Sequence, residues 1–269
     1  MPFLLKLTLG LLVLWGGIVA VFALMQDALV FPRAMVGPAP SLPATSRSLQ
    51  IDRPDGAVLH GVMIPGNDPE RPVLLGFGGN AWNAAAMALF LHDILPDHTI
   101  VAFHFRGYAP STGRPSASAL LDDAEAIHDH IISEGHGAPI AIGFSIGSGV
   151  ASHLAAQRPI HGTVLVTPFD SLGAVARQSL PWAPVRWLFR HEMDVLGALE
   201  KSKVPVALIL ADQDEVIPPA RAEALLAGLQ DVGREPAFLR RLATGHNAIY
   251  AHPEFPPALT RAVSVLTEH

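Results

Sequence analysis

Short apolar runs recur along this chain, and helix-length stretches separate most of them. Strand-like stretches, most of them such runs, are residues 59–64, 73–77, 99–105, 140–144, 163–166, 206–210 and 238–242. Most show little alternation between apolar and polar residues, which suits strands covered on both faces. Helix-like stretches cover residues 81–95, 118–133, 146–157, 219–232 and 256–267. Strand alternating with helix predicts an α/β fold, a mostly parallel central sheet with helices on both sides. Ligands of such sheets bind beyond the carboxyl ends of the strands, so the chemistry belongs in the loops after them.

The first segment is of another kind. Residues 7–25 contain no charge and consist mostly of Leu, Val, Ile, Phe, Ala and Gly. That is close to the roughly 20 residues a helix needs to cross a bilayer. A retained N-terminal transmembrane anchor is expected over residues 1–25. A cleaved signal peptide is the alternative, with Val21-Phe22-Ala23 as its exit. Lys6 and the amino terminus make the leading end positive, so the expected topology is single-pass with the remaining chain on the non-cytoplasmic side. Arg33 at the other end opposes that orientation. Residues 26–47 hold several prolines and read as a linker and approach segment, and residues 48–269 read as one catalytic domain.

Bulk properties narrow the function. The 269 residues carry a formal net charge of -6 and no long basic run, which argues against a nucleic-acid partner. There is no cysteine, so disulfides, thiolate chemistry and cysteine-ligated zinc are excluded. His128 and His130 are two apart on a predicted helix and face opposite sides, so no metal site is expected there. No cofactor is expected.

The run 140–144 ends in Gly143-Phe144-Ser145-Ile146-Gly147. Small residues at 143 and 147 suit a sharp strand-to-helix turn that lifts the Ser145 hydroxyl above the sheet. A serine hydroxyl needs a base to take its proton. His246 follows the last predicted strand and stands at the correct end of the sheet. His153 lies two turns down the helix after Ser145, and His161 precedes a strand. His191 and His252 read as surface residues. The base needs an acid, and "ADQDEVIPP" offers Asp214, which lies further into its loop, with Asp212 as runner-up and Asp170 as a weaker third. Two backbone donors are needed for an oxyanion. The N–H groups of Ile146 and of Asn80, in the glycine turn "GFGGNAWN", are the candidates.

These stretches together resemble the α/β-hydrolase superfamily, in its membrane-anchored, serine aminopeptidase-like branch, which includes protein depalmitoylases. The resemblance rests on "GFGGNAWN", "FHFRGYAPSTGRPS", "LLDDAEAI", "GFSIGSG", "ADQDEVIP" and "GHN", with "QDALVFP" similar to the family's entry segment. It covers the chain from Gln26 onward. It implies an α/β-hydrolase fold and the triad Ser145, Asp214, His246, whose chain order is that of the family. The family usually has His-Gly-Asn where this chain has Gly78-Gly79-Asn80, but the backbone donor at Asn80 is kept. Arg106 is expected to serve structure, as are Asp122 and Asp123 at the start of a helix. Residues 172–199 sit where such hydrolases insert a short lid. Trp182, Trp187 and Phe189 there are either packed in the core, or candidate walls for an acyl chain, or a surface that dips into the bilayer.

The expected activity is hydrolysis of carboxylic esters or thioesters, on a small-molecule or lipid-like acyl substrate, with the membrane as a further partner through the N-terminal helix. An aminopeptidase is the rival enzyme and would want an acidic residue beside the pocket. A non-catalytic, membrane-tethered binding module is the rival from another class.

Overall fold

The computed structural model describes residues 2–268. In chain order it runs α1 (Pro2–Val30), β1 (Arg47–Asp52), β2 (Val58–Ile64), β3 (Leu74–Phe77), α2 (Ala84–Ile94), β4 (Ile100–Phe103) and α3 (Ala117–Ser133). Next come β5 (Ile140–Phe144), α4 (Ile146–Gln157), β6 (Gly162–Val166), the short helices α5 (Leu172–Ser179) and α6 (Val185–Leu188) where a lid was expected, and α7 (Val195–Lys201). The chain closes with β7 (Val206–Ala211), α8 (Pro219–Asp231), β8 (Phe238–Leu242) and α9 (Phe255–Thr267).

The strands form one sheet in the order β1-β2-β4-β3-β5-β6-β7-β8. Only β2 runs against its neighbours; every pair from β4 to β8 is parallel. Successive side chains of a strand point to opposite faces. In the central strands β3 to β7 both faces are apolar and buried. Leu75, Val101, Ala141, Leu165 and Leu208 pack against α3, α4, α7 and α8. Leu74, Ile100, Ile140, Val164 and Ile209 pack against α2 and α9. That two-sided burial is the physical cause of the unbroken apolar runs.

Side-chain caps fix where several helices begin. Asn83 accepts from the N–H groups of Ala85 and Ala86, so α2 opens at Ala84 and not at residue 81. Ser116 caps α3 and Ser171 caps α5 in the same way. The strand β1 was not foreseen. It is an edge strand that buries little besides Leu49, so its apolar signal is weak. Helix α1 runs without a break to Val30, five residues past the expected end of the anchor.

Candidate active site

The turn from β5 into α4 is as tight as its glycines suggested. A methyl group on Gly147 would collide with the Phe77 carbonyl of β3, and one on Gly143 with the Gly147 carbonyl. Ser145 itself takes φ 53° and ψ -119°. Such a conformation is costly for a residue with a side chain, and it persists because the surroundings hold it. Here the Ser145 N–H donates to the Val166 carbonyl of β6 at 2.9 Å, and the Ser145 carbonyl accepts from Ser148 at 2.8 Å.

Ser145, His246 and Asp214 come together from the ends of β5, β8 and β7. Ser145 Oγ lies 3.0 Å from His246 Nε2, and His246 Nδ1 lies 2.7 Å from Asp214 Oδ2. All three residues are buried. Nδ1 donates to the carboxylate, which leaves the Nε2 lone pair to accept from the serine hydroxyl. Asp214 is itself held, because its Oδ1 accepts from the N–H groups of Val216 at 2.9 Å and Ile217 at 2.6 Å. The other two acids are engaged elsewhere. Asp212 pairs with Arg241 at 2.8 Å on the surface, and Asp170 with Arg221 at 3.1 Å.

Asn80 and Ile146 both line the cavity that Ser145 opens into. A Cβ on Gly79 would stand 3.8 Å from that of Ser145, so this loop lies directly against the hydroxyl-bearing turn. Met87 and Trp82 close on Gly78, where the family usually has histidine.

Two residues that support the site were not singled out for it in the sequence. Glu215 Oε2 accepts from the backbone N–H of His246 at 3.0 Å, and Gly245 leaves room for that carboxylate, since a Cβ there would stand 2.5 Å from Oε2. Tyr108 Oη donates to the Asn80 carbonyl at 2.8 Å and so pins the loop. Burial pushes the Tyr108 hydroxyl pKa well up, which keeps it a neutral donor. The adjacency of Glu215 to Asp214 was the available signal for the first. The second had none, since its contact crosses 28 positions of sequence.

Arg106 is structural: it forms a buried pair with Asp123 at 2.6 Å and also meets Asp55. Asp123 therefore acts through that pair and not through the helix dipole, because α3 begins at Ala117. His153 bonds Glu125 at 2.8 Å, away from Ser145. His128 is buried and shares a hydrogen bond with the Pro159 carbonyl. His191 is not a surface residue: it is buried and reaches Asp27 at 2.8 Å.

The cavity has a volume of about 700 Å³ and a mostly apolar lining. Phe169, Val175, Leu188, Ile217 and Tyr250 contribute to its walls, as does Phe189, one of the three aromatics expected there. Trp182 and Trp187 do not line it. Trp182 packs edge-on against Phe22 of α1, with ring centroids 5.6 Å apart, and Trp187 is 81% exposed. Local sequence placed both in the lid but could not say which way they face. Among the described residues, no Asp or Glu lines the cavity.

A family model described as "Alpha/beta hydrolase family" matches residues 57–263. An uncharacterized protein of Mycobacterium tuberculosis, Rv2307c, is 31% identical over 247 residues, covering 88% of this chain and 85% of its own. The lysophosphatidylserine lipase ABHD12 of Xenopus tropicalis is 26% identical over 170 residues, covering 55% of this chain and 44% of that protein. Among solved structures, the Pyrococcus furiosus esterase Pf2001 superposes with a TM-score of 0.67 at 18% identity, covering 86% of this chain and 97% of that one. The chain belongs to the α/β-hydrolase family. Its α1 is long and apolar enough to cross a membrane by length and composition.

Proposed function

We propose that the protein is a membrane-anchored serine hydrolase that cleaves carboxylic esters or thioesters. The observation that carries this reading is the hydrogen-bonded chain Asp214–His246–Ser145, at 2.7 Å and 3.0 Å, open to an apolar cavity. Ser145 Oγ attacks the substrate carbonyl carbon while His246 Nε2 takes its proton. Asp214 keeps the imidazole in the tautomer that can accept this proton, and stabilises the cation that results. The N–H groups of Asn80 and Ile146 hold the oxyanion, each such donor being worth about 10²–10³ in rate. His246 then gives the proton to the leaving alcohol or thiol, and an acyl-serine remains. Water repeats the sequence: His246 takes its proton, hydroxide adds to the acyl carbon, and Ser145 leaves with the proton returned.

The absence of a carboxylate from the described cavity lining favours esters over aminoacyl amides. A substrate ammonium would have no partner there. The esterase and lipase named among the relatives agree with this reading, as does the apolar α1 with a membrane location. Lys6 and the amino terminus favour a cytoplasmic amino terminus with the catalytic domain on the other side, while Arg33 past the other end opposes that orientation.

The test is labelling of the detergent-solubilised protein with a fluorophosphonate, together with turnover of p-nitrophenyl esters. Labelling at Ser145 and ester turnover are expected. A folded protein that does neither is the binding module instead, and faster cleavage of aminoacyl amides than of esters makes it an aminopeptidase.

A further inference from the structure

Helix α1 has two different faces in its last turns. Val19, Phe22, Ala23, Gln26, Leu29 and Val30 line the cavity that holds Ser145. Their spacing is that of a single helical stripe. Around the helix from them, Val21, Leu24 and Met25 are 52%, 78% and 50% exposed. We propose that α1 is both the membrane helix and a wall of the acyl cavity, so that the chain of a bilayer-resident ester reaches Ser145 along α1 without crossing water. This rests on the reading of the protein as a membrane-anchored serine hydrolase with Ser145 as nucleophile.

Length decides where the cavity sits. Residues 7–26 are uncharged. As a helix they extend about 30 Å, the thickness of the hydrocarbon core. The cavity-lining residues 19, 22, 23 and 26 occupy the last turns of that span. If the catalytic domain stood clear of the bilayer, at most residues 3–18 would remain to cross it, about 24 Å and too short. The cavity wall is therefore at the depth of lipid chains.

The lid and α1 are latched together, so the helix is no loose tether. The buried Gln26 amide donates to the Leu188 carbonyl at 3.1 Å and accepts from the Arg190 N–H at 2.8 Å. Trp15 Nε1 donates to the Trp182 carbonyl at 3.1 Å. Asp27 meets His191 at 2.8 Å and Arg190 at 3.2 Å. On the outside of the same lid, Trp182 and Trp187 are exposed beside Arg186 and Arg190. Aromatic and basic side chains together are the composition of a membrane interface.

The test uses the full chain in lipid nanodiscs. Ala23→Trp puts an indole into the cavity, and Leu24→Trp puts one on the outer face. The readout is the ratio of kcat/KM for a dodecanoate ester to that for an acetate ester. Ala23→Trp should lower this ratio at least about tenfold, because the long chain loses burial that the short one never had. Leu24→Trp should change it less than about twofold. Equal ratios in wild type and Ala23→Trp overturn the proposal.

A second readout does not depend on turnover. The chain has no cysteine, so Ala23→Cys supplies a single thiol. N-ethylmaleimide should label it and a sulfonated, membrane-impermeant maleimide should not. A hexadecyl fluorophosphonate on Ser145 should protect it, and an ethyl one should not. Ready labelling by the charged reagent, or labelling of Ser145 by both phosphonates with no protection at position 23, overturns the proposal alone. A protein that takes neither phosphonate overturns the hydrolase reading, and this proposal with it.

Discussion

Ser145 is strained by its position and not by its side chain, since any residue with a Cβ meets the same φ of 53°. Ser145→Ala should therefore keep the fold and melting temperature while kcat for p-nitrophenyl acetate falls by about 10⁶. Asp214→Asn should cost about 10⁴, because His246 would lose the partner that selects its tautomer. Asp212→Asn breaks only a surface pair with Arg241, a contact worth about 0–1 kcal/mol, and should leave kcat nearly unchanged. Reversed effects of the two asparagines would move the acid to residue 212. Glu215 acts on the backbone of His246, so its removal loosens the imidazole without touching the reacting atoms. Glu215→Ala should lower kcat about tenfold and Glu215→Gln less, since the amide oxygen can still accept that bond. Equal losses in both, matched by equal losses of melting temperature, would mean that Glu215 serves stability alone.

At the scale of elements, the β5–α4 turn and its contact with β3 set the geometry of the site. Gly147→Ala drives a methyl into the Phe77 carbonyl, and neither strand nor helix can give way without moving Ser145. Overpacking of this kind costs about 1–3 kcal/mol or more. The urea midpoint should fall accordingly, and phosphonate labelling of Ser145 should fall with it. Gly137→Ala, at a position with open space around it, should do neither. Helix α1 belongs to the same scale. Proline-rich composition marks residues 26–47 as a connector, yet the helix continues to Val30 and Phe31 is buried at 1% exposure. The propensity signal was correct about where prolines cluster. It was silent about Gln26, whose amide is satisfied by the lid backbone more than 160 positions away.

Two properties belong to the whole molecule. A spanning α1 is effectively irreversible in the membrane, so the protein should stay in the pellet through a carbonate wash. Release, or a mature amino terminus near Leu24, would show a cleaved signal. The second property is pH dependence. Burial holds the imidazoles of His98 and His104 below the ordinary histidine value of 6.5, helped by Arg71 beside His98 and His60 beside His104. The Pro72 carbonyl pulls His98 the other way but does not win. Below about pH 6.5 the unfolded chain takes up these protons first, so stability is fully present above that pH and falls beneath it. The melting temperature should drop between pH 7.5 and 5.5. The paired substitution His98→Gln and His104→Gln should reduce that drop, and an unchanged drop would place the acid sensitivity elsewhere.

The sequence alone determined the class of fold and the cast of candidate residues, because both rest on local physics. Strands buried on two faces must be continuously apolar, a strand-to-helix turn of this tightness requires Gly143 and Gly147, and chemistry at a parallel sheet gathers after the strand ends. Ser145 and His246 could be singled out on those grounds. Asp212 and Asp214 share one loop and one chemistry. Only the tertiary structure turns Asp214 inward, where Val216, Ile217 and His246 hold it, and gives Asp212 to Arg241. The same holds for Trp187, which faces out, for His191, which is buried against Asp27, and for the inner face of α1. Each depends on contacts between residues far apart in the chain. A periodic pattern can report that a residue is apolar or charged, but which distant partner it meets is decided by how the elements pack.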